Sequence, residues 1–253
     1  MQEDATTLAY LNLHAVLGAI ENLTALVPAA RRLATTAKPV SVGFAVRGGP
    51  AGTLAFDQGL ATFRPGAQGC DVKLPFSSPA KLNAMVDGKG TAIPSRGLTK
   101  ISFLTKQFVP LTGLLEQYLR PAPEALADPE FFKASTEVMF YVIAAALSQV
   151  ANHDQVGRFS ADHTVDGDID FGVAGGPRAT IRVRGHRFET VKEPCASPRA
   201  VMEFESLGLA RQLFDGEVVA LACIGTGQIA MRGMISMLDN LNRILDRVAV
   251  YLG

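Results

Sequence analysis

RGGPAGTLAF (47–56) and AGGPRATIRV (174–183) spell nearly the same turn, 127 residues apart. Both keep Gly-Gly-Pro. Glycine reaches positive φ at no steric cost and proline fixes φ at about −65°, so each stretch reads as a chain reversal. The flanking runs, VSVGFAV and GTLAF in the first, IDFGVA and ATIRV in the second, alternate with period two. That is the pattern of half-buried antiparallel strands. At this offset Phe44 and Val46 match Phe171 and Val173, Leu54 and Phe56 match Ile181 and Val183, and Thr53 matches Thr180.

Further along, the offset becomes 128 and runs on without a gap, residues 73–103 lying against 201–231. Phe76 meets Phe204, Ser78 meets Ser206, Asp87-Gly88 meets Asp215-Gly216, Gly97 meets Gly225, and Ile101 meets Ile229. Size and polarity survive at Leu74 with Met202, Met85 with Leu213 and Phe103 with Met231. An offset kept over this length signals an internal repeat.

Each copy opens on an apolar helical stripe. The first is Leu11, Leu13, Val16, Leu17, Ile20, Leu23 and Val27; the second is Phe131, Val138, Met139, Val142, Ile143, Ala146 and Leu147. After the hairpin the spacing predicts a strand near Phe63 or Phe188, then one containing Phe76 or Phe204. A short helix follows, with Ser78 or Ser206 as N-cap and Asp-Gly as its stop. The last strand is KISFL (100–104) or QIAMR (228–232), leading into a closing helix. The second closing helix carries Met234, Met237, Leu238, Leu241, Ile244, Leu245 and Val248 on one face. Proline-rich RPAPEALADPE (120–130) serves as linker, so the expected units are 1–121 and 122–253. The fold class is α+β, with two tandem units.

Composition narrows the function. The 253 residues carry 24 basic and 24 acidic side chains, with no excess of cations to displace phosphate counterions, so nucleic acid is excluded as a partner. Apolar content of 48% against 19% charged leaves greasy surface to spare and admits a homodimer. Cys70, Cys195 and Cys223 form no CxxC or Cys/His cluster, which argues against a disulfide scaffold or a zinc site. The start, MQEDATTLAY, is too polar and acidic for a secretory signal, and the apolar run VMFYVIAAAL (138–147) is too short to span a bilayer. A cytoplasmic protein without a membrane span is expected, with transient membrane contact left open.

The order strand, Gly-Gly-Pro turn, strand, strand ending near F-x-S, helix, Asp-Gly, then G-x-G-x-I-x-x-x-G before an apolar helix resembles the sterol carrier protein type 2 family. The second copy carries nearly every landmark between Phe204 and Gly233. The first keeps Phe76, Ser78, Asp87, Gly88 and Gly97, with Thr105 standing where the other copy has Gly233. The resemblance implies a mainly antiparallel five-stranded sheet covered by helices in each unit. Between sheet and helices it implies an apolar tunnel that holds a sterol, fatty acid or fatty acyl-CoA without catalysis or cofactor. A lipid chain gains about 0.8 kcal/mol per buried methylene, so a greasy cavity with a weakly polar mouth suffices. The tunnel walls would be Phe204, Leu213, Phe214, Met231, Met234, Met237 and Leu241 in the second copy. In the first they would be Phe76, Met85, Phe103, Phe108, Leu111 and Leu115. Methionine suits such a wall, being flexible and polarizable.

Other constellations carry less. Asp166, Asp168 and Asp170 have calcium-loop spacing, but Phe171 and Pro177 occupy the places that need glycine and glutamate, so a polar turn is the better reading. His153 and His163, with Asp154 and Asp162 beside them, could chelate, but no third ligand is obvious and the stretch reads as a solvated connector between helix and strand; His14 and His186 stand apart. No G-x-S-x-G elbow or P-loop occurs, and Gly175-Gly176 and Gly225-Thr226-Gly227 do not open helices. Arg96, Lys100, Arg187 and Arg232 suit either a head group at a pocket mouth or an exposed strand face. Two further readings stand beside lipid carriage: a structural module whose units pack on each other or on a partner with no pocket, and an enzyme on a lipid-like substrate.

Overall fold

In a computed structural model describing residues 4–252, both Gly-Gly-Pro stretches close hairpins. β1 (Val40–Val46) and β2 (Ala51–Asp57) pair antiparallel with Phe44 opposite Gly52 and Val42 opposite Leu54. After β3 (Leu60–Pro65) and β4 (Val72–Phe76), β5 (Gly167–Val173) and β6 (Arg178–Arg184) repeat the register, Phe171 opposite Ala179 and Ile169 opposite Ile181. Val46 N donates to Pro50 O in one turn and Val173 N to Pro177 O in the other, at 3.0 and 2.9 Å. The matched threonines also share a task. Thr53 Oγ1 donates to Gly66 O at 2.7 Å, and Thr180 Oγ1 to Glu193 O at 2.8 Å.

The chain divides between Val138 and Met139 into two compact units. That boundary falls inside α7 (Pro129–His153). The first unit contains α1 (Ala5–Tyr10), α2 (Ile20–Leu26) and α3 (Pro28–Ala34) before its strands, then α4 (Pro79–Val86), α5 (Ile101–Phe103) and α6 (Val109–Leu119). A π-helical stretch Leu11–Val16 joins α1 toward α2, and another, Leu104–Phe108, joins α5 to α6. Its sheet has four strands in the order β3-β2-β1-β4. The second unit adds α8 (Gln155–Asp162), β7 (Arg187–Val191), β8 (Ala200–Phe204), α9 (Leu207–Phe214), α10 (Ala220–Gly225), β9 (Ile229–Gly233) and α11 (Ile235–Leu252). Its sheet has five strands in the order β7-β6-β5-β8-β9. Both sheets are mixed, because β1 runs parallel to β4 and β5 to β8. The proline-rich linker is a short 3-10 turn, Pro123–Ala127, that leads into α7.

The sequence reading is corrected at the first unit's edge. KISFL is helical, so the expected fifth strand there is absent. The ungapped offset of 128 holds only as far as the Asp-Gly stops, where Gly88 and Gly216 have φ of 71° and 73°. Beyond them the true partner of Gly233 is Gly97. Their φ values are 89° and 83°, and a Cβ on either would strike the backbone carbonyl of the residue just before the neighbouring strand, Arg199 or Asp71. Lys73 bridges Arg96 just as Val201 pairs with Arg232. The matching motif is I-x-x-R-G, at Ile93 to Gly97 and Ile229 to Gly233, offset by 136. Thr105 therefore has no bearing on Gly233, and the six-residue α10 lies within the stretch that is longer by eight residues in the second unit.

The missing strand has a physical cause. Glu205 N donates to Gln228 O and Met234 N to Arg199 O, both at 2.9 Å. By the alternation of an antiparallel ladder, Glu203 and Ala230 are then a pair that exchanges two hydrogen bonds. At the equivalent places the first unit has Pro75 and Pro94, neither of which has an N–H. Both bonds are lost and the ladder shrinks to the Lys73–Arg96 bridge. Pro75 also blunts the exposed edge of β4 against pairing with another chain.

Candidate apolar site and polar sheet face

In the second unit, register puts Ile169, Phe171, Val173, Met202, Phe204, Ile229 and Met231 on one face of the sheet. Phe140 of α7 stacks on Phe171 at 5.1 Å, and Phe204 meets Phe171 edge-on at 5.5 Å and Phe214 of α9 at 6.1 Å. Each such aromatic pair contributes about 0.5–1.5 kcal/mol beyond its burial. α11 lies against β8 and β9, and Met237 and Leu241 on it are fully buried. Phe204 is buried too. By contrast Leu213, Phe214, Met231 and Met234 are only half-buried. Phe214 sits at the Phe204 end of β8, whereas Met234 N donates to Arg199 O at the other end. In α10, which packs on β9, Ile224 is half-buried and Leu221 exposed, and Val219 and Ile235 are exposed too. The sequence reading missed the α10 residues because the 128 offset treated them as counterparts of the first unit's turn.

The first unit differs. Phe103 and Phe108 come down on the sheet, Phe103 at 5.3 Å from Phe56 and Phe108 at 6.0 Å from Phe44 and 6.2 Å from Phe56. Phe76, Phe103, Phe108, Leu111 and Leu115 are buried and Met85 half-buried. The position matching Met231 is Ser95, which is exposed. Two open concavities lie in this unit. One, of about 610 Å³, runs between α3 and α6 along Leu33, Pro110 and Leu114. The other, of about 300 Å³, lies beside Tyr118 and Glu137, whose carboxyl is pushed up by burial. Neither includes a residue of the expected tunnel walls.

The opposite face of the second sheet is ionic. Arg178 pairs with Asp170 and, at 2.8 Å, with Glu203; the hydrogen bond to Asp170, ahead of the one to Glu203, outweighs burial and raises its pKa further. Arg184 lies 2.9 Å from Asp168, Arg182 lies 3.5 Å from Glu189, and Arg232 lies 3.8 Å from Glu203. Gly185 N donates to Asp166 at 2.7 Å. The three alternating aspartates thus hold cations and a backbone amide on a strand face, as the polar reading has it. Among the described residues no group of three His, Cys, Asp or Glu side chains could hold a metal ion.

The expected solvated connector is instead helix α8 with Asp154 buried at its start, and Asp154 is structural. Its carboxylate caps α8 through Val156 N and Gly157 N, and accepts from Arg247 at 3.0–3.1 Å and from Tyr251 Oη at 2.7 Å. Burial acts to raise its pKa, but these donors and the charge of Arg247 win, and the net shift is downward. His153 next to it is pushed down to about 4, chiefly by burial and then by Arg187 and Arg158. α7 is the one described helix that is by itself long and apolar enough to cross a membrane, and 72% of its most apolar window is buried inside the protein.

The two units therefore define an α+β class in which helices cover the apolar face of a mixed sheet. No family model matches the chain, and no curated protein does. Among solved structures the chain is similar to sterol carrier protein domain 2 of Helicoverpa armigera, at 16% identity over 45% of this chain and 89% of that one, with a TM-score of 0.36. It is similar to sterol carrier protein 2 of Yarrowia lipolytica at 15% identity over 43% and 91%, with a TM-score of 0.33. A sec-alkylsulfatase of Pseudomonas sp. shares 11% identity over 57% of this chain and 28% of that one, with a TM-score of 0.30.

Proposed function

We propose that the chain is a duplicated, non-enzymatic lipid-binding module, written as copies 1–121 and 122–253, whose second unit takes the apolar chain of a sterol, fatty acid or fatty acyl-CoA. One observation carries this reading: among the expected wall residues of the second unit, Leu213, Phe214, Met231 and Met234 stay half-buried while Phe204, Met237 and Leu241 are buried. Large apolar side chains left part-wet gain free energy when a hydrocarbon covers them. Two methionines at the opening adapt to a ligand of variable shape.

For the first unit a second reading is favoured, that of a structural module. Its wall candidates Phe103 and Phe108 fill the space over Phe44 and Phe56 themselves. The experiment is saturable uptake of a fluorescent fatty acid and a fluorescent sterol by the purified protein. Met231→Arg abolishes uptake with the fold intact by circular dichroism, whereas Ser95→Arg, at the matched place in the first unit, leaves it unchanged. Absence of saturable uptake with both probes removes the reading.

A further inference from the structure

One feature of the first unit is not absorbed by ligand binding. From Gly88 through Leu115 the sequence contains no aspartate or glutamate, but it contains Lys89, Arg96, Lys100 and Lys106. The same stretch exposes large aliphatic side chains. Ile93 is 78% accessible, Leu98 63%, Val109 59% and Ile101 44%. Leu98, Ile101, Thr105 and Val109 follow one another at three- and four-residue spacing through continuous helical turns, so they lie along one side of that segment. Phe103, Phe108 and Leu111 occupy the opposite, buried side. Next to Val109, Pro110 begins the α3–α6 groove, where Arg32 adds a further cation.

An exposed aliphatic row flanked by lysine and arginine is the surface of an interfacial element, apolar toward acyl chains and basic toward head groups. We infer that residues 89–109 dock the protein on an anionic phospholipid surface. The occupant is fixed by charge: a second copy of the chain would bring the same cations against these four, whereas an anionic bilayer complements them. Carboxylates near the segment are few. Asp71 is within the influence of Arg96 and Lys100, but it is already engaged by the Ser41 hydroxyl at 2.7 Å and by Ser41 N at 2.8 Å. Asp87 lies 3.9 Å from Lys89, and Glu116 bounds the far end. The second unit exposes Val219, Leu221 and Ile235 at its corresponding edge, but with Asp215, Glu217 and Asp239 close in sequence it lacks the basic character.

The test uses the full chain and co-sedimentation with vesicles of phosphatidylcholine alone or mixed equally with phosphatidylserine. Binding is expected to the mixed vesicles only and to weaken with added salt. Lys100→Glu with Lys106→Glu should weaken partitioning by about thirtyfold or more, since each cation near an anionic surface contributes about 1 kcal/mol. Leu98→Asp with Ile101→Asp should abolish binding, while Val219→Asp with Leu221→Asp leaves it unchanged. Five of the six positions are exposed and Lys100 is half-buried, and circular dichroism checks the fold of each variant. Equal binding to both vesicle types, no binding, or binding unmoved by the two first-unit pairs overturns the proposal. So does self-association that the first-unit variants abolish, which assigns the face to a second copy instead. Uptake of the fluorescent fatty acid by Leu98→Asp/Ile101→Asp is expected to persist, so failure here and failure of the ligand-binding reading are read separately.

Discussion

At one edge the second unit continues into a fifth strand that carries the half-wet Met231 and is followed by the half-wet Met234. At the same edge the first unit has two prolines, a single bridge and a basic, greasy surface segment. The hairpins behind these edges match bond for bond. The difference teaches that a shared core leaves the edge free to diverge, because an edge strand is held by one neighbour and can be dropped when two N–H groups go.

The largest expected effect tests a device that the second unit alone possesses. Asp154 and Arg247 are buried, with side chains 3% and 7% accessible. Asp154→Ala strands a buried guanidinium and should cost about 3–5 kcal/mol in urea unfolding. Hydrogen exchange should accelerate at amides of β5–β9 while β1–β4 keep their protection; equal loss in both sheets would break the comparison. Next come Gly97→Ala and Gly233→Ala. Each forces a Cβ into a carbonyl at positive φ and should cost about 1–3 kcal/mol, falling on its own unit. Unequal costs would weaken the 136-residue equivalence.

Acid should act on the second unit first. The depressed pKa of His153, from 6.5 to about 4, means that the unfolded chain binds a proton in this window that the folded chain refuses. Its contribution is whole above about pH 6.5 and is lost as pH falls toward 4. His153→Gln should flatten this part of the stability curve. Asp154 acts at lower pH: its depressed pKa stabilises above the ordinary carboxylate range and that gain is lost below it. The smallest effect belongs to Pro75→Ala with Pro94→Ala, worth about 1 kcal/mol or less per restored bond. If the prolines are what removes the fifth strand, the new amides at 75 and 94 become protected from exchange.

Much of the repeat could be read in advance. The 127-residue offset sets Phe44, Val46, Leu54 and Phe56 against Phe171, Val173, Ile181 and Val183, and the ladders have that register. The short helices and their Asp-Gly stops were legible too, although only Ser206, which accepts from Leu209 N at 3.2 Å, caps with its side chain; Ser78 makes no such bond. KISFL misled because short apolar alternation suits a strand or a helix that buries one side. The repeated I-x-x-R-G was present to be seen, but an ungapped offset ran past it. The α10 side of the candidate site was hidden for the same reason.

The sequence by itself determined the hairpins, their register and the presence of two like units. Turn chemistry and alternation act over a few residues and are written where they act. Only the tertiary structure decided that the first sheet stops at four strands, since Pro94 matters through Pro75 across a ladder. It also decided where aromatic rings close a core and where methionines stay half-wet, because packing depends on what arrives from distant parts of the chain.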